Sequence, residues 1–276
     1  ATCPHPQRCG LMFDNIIYFL IVLLIFNVSP SELTPESSFS LSLATFFAVW
    51  IGFGVHCRLA FRRLTARGEA RTLSGEARMS GLYHRLMTRC SILAVFIFAL
   101  DVYVLHLKHW LNVIPWVERF STLEGLGALS LFFLYLATLW FFAFPGYQQI
   151  FRSGIDRVAF VKSNFTLNLP VLFPWLAVTG VYDAVSLSPF PQVKSFLNTI
   201  EGQMLFFVCF LSVLMVFMPH LVQAWWGCRP LEPSIKAAQL RSFLDAKRFK
   251  VRHILKWPLF EGQALTAGIM GIFPIF

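Results

Sequence analysis

Apolar and polar positions divide this chain into long apolar runs separated by polar links. A bilayer core needs about 20 apolar residues per helix, and residues 11–28, 39–57, 90–107, 126–144, 166–187 and 204–226 approach or meet that length. The pattern predicts an all-α polytopic membrane protein with about six transmembrane helices, a six-span domain over residues 11–226. The links are short except for 58–89 and the stretch from Gly227 onward. In residues 108–125, Trp110, Val113, Ile114, Trp116, Val117 and Phe120 stand among polar residues, as in an amphipathic segment lying in the outer interface. In residues 58–89, Leu64, Leu73, Leu82, Tyr83 and Leu86 fall between arginines. That spacing predicts helical extensions of the flanking spans and a turn near Ser74 and Gly75.

Composition removes the soluble alternative. The chain of 276 residues is 57% apolar and 13% charged, with a mean hydropathy of +0.64. Soluble domains carry about 25% charged residues, and 31 Phe have no dry place in a water-soluble fold of this size. The first apolar run is too long for a secretory signal, and Asn27 and Val28 give no small-residue cleavage pattern. It reads as a retained span.

Charge then orients the spans. Alternate links hold 20 of the 23 basic residues: Arg8, eight arginines in 58–89, the group Arg152, Arg157 and Lys162, and eight after Gly227. The opposite side holds three, together with Glu32, Glu36, Glu118, Glu124 and Glu201. The positive-inside rule therefore places both termini in the cytoplasm: the N-terminal segment 1–10, the basic loop 58–89 and residues 227–276. The net charge of +9 is first a topology signal. It also attracts anionic lipid, and nucleic-acid binding is not needed to explain it.

Ionisable groups inside apolar spans usually face a bundle interior or a cavity, because they are costly in hydrocarbon. The membrane-embedded candidates are Asp101 in the third span, Asp183 near the outer end of the fifth and His220 in the sixth. Asp101 reads either as a proton or ion relay or as a carboxyl paired with a Tyr, Ser or Thr on a neighbouring helix. Asp14 and Asp183 read as interfacial and solvated. Pro170 and Pro174 each remove a backbone donor from the fifth span and predict a kink. Of six Cys, four lie in or beside apolar spans, where Cys behaves as a small hydrophobe. Cys3, His5 and Cys9 supply three potential metal ligands, one short of a structural zinc site; a terminal segment without metal is the plainer reading.

Beyond the sixth span the pattern changes. Ser234 is a candidate N-cap, Leu240, Phe243 and Leu244 share a helical face, and residues 249–257 turn strand-like. Residues 257–276 then carry an acid, a Gln, a Thr and three glycines, and read as the opening of a soluble domain that continues beyond them. Trp226, Arg229-Pro230-Leu231, Trp257-Pro258, Glu261-Gly262, Ala264-Leu265-Thr266-Ala267-Gly268 and Gly271 resemble a segment of multi-pass bacterial proteases. These are the integral-membrane zinc metallopeptidases (gluzincins) related to CAAX prenyl proteases and to the HtpX heat-shock protease. The likeness is specific over about thirty residues and general elsewhere. It implies a bacterial inner-membrane location, a peptide or membrane-protein substrate, and zinc in the full-length protein. In that family an H-E-x-x-H helix follows, with two His holding Zn²⁺ and Glu as general base. No His here is followed by Glu, and no two His lie four apart. No catalytic, cofactor-binding or metal residue is therefore carried over, and no cofactor is assigned to this chain. Three functions stay open: the membrane anchor of a zinc metalloendopeptidase, a non-enzymatic scaffold binding a partner through 58–89 and the C-terminal segment, and a transporter using Asp101.

Overall fold

The computed structural model describes residues 10–29, 38–66, 73–151, 154–187, 189, 191–197, 199–247 and 254–256. Their elements are α1 (Gly10–Val28), α2 (Phe39–Ala66), α3 (Leu73–Tyr103), α4 (Leu107–Asn112), α5 (Pro115–Arg119), α6 (Ser121–Phe151), α7 (Arg157–Leu187), α8 (Pro191–Leu197), α9 (Ile200–Trp225), β1 (Arg229–Pro230), α10 (Ile235–Ala246) and β2 (Leu255–Lys256). Among the described residues, five helical stretches are long and apolar enough to cross a membrane: Phe39–Ala66, Arg78–Tyr103, Ser121–Phe151, Arg157–Val185 and Ile200–Trp225. Ile17–Val28, within α1, is a shorter apolar helix. The N-terminal segment 1–9, with Cys3, His5 and Cys9, and the stretch 257–276 lie outside the described residues, as does the side chain of Asp14.

The chain forms two compact units, Ala1–Val171 and Leu172–Phe276. In the first, α6 is the hub and packs on α1, α2, α3, α4 and α5, while α1 and α2 also pack on α3. Helices in a bilayer gain little from hydrophobic exclusion and associate through close packing and interhelical hydrogen bonds. Both occur here. Ala94, Ala128 and Ala143 are fully buried, and Gly54 lets the Thr138 methyl and Phe142 ring come within contact range of α2. Aromatic edges interlock, with Phe132 against Phe19 at 5.5 Å and against Phe98 at 5.9 Å. Trp50 Nε1 donates to Thr138 Oγ1 at 2.9 Å, tying α2 to α6. The opposite face of α2, including Leu43, Phe47, Ile51 and Val55, is exposed, as a lipid-facing stripe must be.

The helices reach further into the basic stretch than hydropathy alone delimits. Phe53, Cys57, Phe61 and Leu64 are buried along α2, and Met79, Tyr83, Met87 and Cys90 along α3. The inward stripe thus runs on at helical spacing while arginines occupy the other faces. Ser74 and Gly75, expected to turn, lie inside the first turn of α3, where weak helix formers are best tolerated. Cys57 on α2 and Cys90 on α3 are both buried, and α2 packs on α3. Residues 108–125, expected to lie in the outer interface, form most of α4, all of α5 and the start of α6, with Val113, Ile114 and Trp116 exposed. His106 opens α4 with φ 54°, a left-handed conformation.

In the second unit α8 packs on α9. Thr199 caps α9, its hydroxyl accepting the Gly202 N–H at 3.1 Å. A Cβ on Gly202 would collide with the Phe196 carbonyl oxygen, so glycine is required at this turn. The α9 C-terminus closes through Gly227 at φ 61°, with Gly227 N donating to Ala224 O and Cys228 N to Gln223 O; this is a Schellman cap. β1 then pairs antiparallel with β2, Arg229 opposite Lys256 and Pro230 opposite Leu255. Between them, Ser234 caps α10 by accepting the Ala237 N–H at 3.2 Å. α7 continues as one helix through Pro170 and Pro174, and the division between the units falls between these prolines.

Candidate functional site

Asp101 sits in the last turn of α3 and is 2% exposed. Its Oδ2 accepts a hydrogen bond of 2.7 Å from the Tyr135 hydroxyl on α6. Tyr135 is itself 0% exposed, its ring held edge-on by Phe53 at 5.6 Å and by Phe46 at 6.2 Å, both from α2. Three helices therefore build the site: α3 supplies the acid, α6 the donor and α2 the wall. A carboxyl group in such surroundings is costly unless a partner satisfies it, and the phenol is that partner. The arrangement holds a proton between two oxygens and fixes the register of α3 against α6.

Of the two readings of Asp101, the geometry matches the carboxyl paired across helices. Tyr135 carries that pairing, and it was not among the residues singled out in the sequence. Its signal was present, a hydroxyl in the middle of an apolar run, but 31 Phe and 6 Tyr make one more aromatic inconspicuous. Asp183, expected to be solvated, is instead buried toward the end of α7, 8% exposed, and His220 lies exposed on α9. Both belong to the second unit, whereas Asp101 belongs to the first.

Among the described residues no three His, Cys, Asp or Glu side chains are grouped to hold a metal ion, and the sequence has no H-E-x-x-H. No step through the zinc that the family resemblance implies is derived from these residues. Helices of membrane-crossing length and composition place the chain among integral membrane proteins. No family model, curated protein or solved structure matches it.

Proposed function

We propose that residues 1–276 are the membrane-anchoring region of a zinc-dependent metalloendopeptidase that works at the cytoplasmic face of a bacterial inner membrane. The peptide-cleaving H-E-x-x-H part is one that these residues do not contain. In this reading α1 is a sixth span, both termini are cytoplasmic, and peptide or membrane-protein substrates reach the protease beside its anchor. The observation that carries it is the polar module directly after α9. There the Arg229–Pro230 and Leu255–Lys256 strands pair around a capped α10, within the segment that resembles the protease family.

Reading the source gene past Phe276 tests the proposal. An H-E-x-x-H codon series within the next hundred or so residues, on the spacing such helices need for zinc, is the expected result. A stop codon immediately after Phe276 would sink it. Given that motif, the full-length protein should lose peptide hydrolysis on chelation and regain it with zinc.

A partner-binding scaffold is the second reading. It is favoured by α10, whose Ile235, Leu240 and Phe243 are exposed. In the first reading the catalytic domain covers this face, and in the second a separate subunit does. A stoichiometric companion retained through mild detergent extraction would select the second.

A further inference from the structure

We infer that the first unit carries a binding site for an anionic phospholipid, in the groove where the end of α2 meets α6 and the start of α7. The groove encloses about 390 Å³ and is lined by Arg58, Phe61, Arg62 and Thr65 of α2, Phe141, Phe142 and Pro145 of α6, and Arg157 of α7. Among the described residues its lining thus contains three guanidinium groups and no acid. The nearest acid in sequence, Asp156, has Oδ2 turned to the Val158 N–H at 3.4 Å. The Arg157 guanidinium stands over aromatic rings, its central carbon 4.6 Å from the Phe141 centroid and 5.6 Å from that of Phe144. A cation–π contact of this kind holds the guanidinium in place, and a guanidinium suits bidentate contact with phosphate oxygens.

Depth selects the source of the phosphate. At 1.5 Å per residue, Arg58 stands about 28 Å along α2 from Phe39, close to the roughly 30 Å of a hydrocarbon core. The arginines therefore lie at headgroup level. Phe61, Phe142, Pro145 and the half-exposed Phe141 give an apolar wall on which an acyl chain can lie. Positive charge at one level and apolar surface beside it complement an anionic glycerophospholipid, and basic pockets between membrane helices bind such headgroups. Mutual repulsion of three cations around one groove is relieved by the same ligand. The site does not depend on the protease reading.

The full chain in nanodiscs of mixed phosphatidylcholine and phosphatidylglycerol tests this by native mass spectrometry. The wild type should retain phosphatidylglycerol on ejection. The variant Arg58→Gln/Arg62→Gln/Arg157→Gln should retain it at least about tenfold less. Arg63→Gln/Arg85→Gln/Arg89→Gln removes the same charge from exposed positions outside the groove and should behave as wild type. Equal loss in both variants, or none in the first, overturns the inference. In discs of phosphatidylcholine alone, inorganic phosphate should leave the melting midpoint unchanged; a shift matching that of phosphatidylglycerol would assign the groove to a free anion instead. Should the triple variant not fold, a photoreactive phosphatidylglycerol with wild type still decides. Label concentrated at 58–65 and 141–145 supports the site, and label spread evenly along the spans overturns it.

Discussion

A single hydroxyl accounts for the most conspicuous polar residue in the chain. Asp101 is legible in the sequence as a charge in an apolar run, whereas Tyr135 is not, because interhelical register is a property of the packed bundle. Tyr135→Phe removes the 2.7 Å bond and leaves a buried oxygen without that donor. We expect a loss of about 1–3 kcal/mol, read from unfolding in detergent micelles. Asp101→Asn keeps an acceptor for the phenol and should cost less. In the double variant the two effects should not add, with a coupling of about 0.5–3 kcal/mol. Strict additivity would show that the bond contributes nothing to the bundle.

At the scale of elements, hydropathy marks the apolar runs, and the apolar spacing within 58–89 predicts the helical extensions that α2 and α3 make beyond them. The run 39–57 was legible from composition, but α2 continues to Ala66 because Phe61 and Leu64 carry its buried stripe past the first arginines. The same holds for α3, which begins at Leu73 and buries Met79 and Tyr83 before the apolar run opens. Gly146 shows why these ends matter: a Cβ there would stand 3.3 Å from the Tyr83 ring on α3 and 3.8 Å from Phe61 on α2. Gly146→Ala therefore requires Tyr83 to yield by a few tenths of an ångström. Gly146→Val should overpack this three-helix contact and lower stability by about 1–3 kcal/mol. An unchanged melting temperature for the valine variant would mean that α3 does not pack on α6 this far along.

For the whole molecule, the basic residues predict sidedness, while the grouping of helices into two units had no counterpart in the sequence, since it depends on contacts between distant segments. Sidedness is directly measurable. In a cysteine-free background, Trp116→Cys on α5 should react with a membrane-impermeant maleimide in intact spheroplasts. Arg63→Cys at the end of α2 should react only after the membrane is opened. The reverse pattern would invert the orientation, and reaction of both from outside would contradict the span between them. The short β1–β2 ladder has a further consequence, which concerns reach. As a free tether, residues 231–254 could carry the following chain outward by as much as about 3.3 Å each. Paired, Lys256 stays about 5 Å from Arg229, close to where the chain leaves α9. The ladder therefore sets the point from which the chain runs on past Lys256 beside the end of α9, independently of the length of residues 231–254.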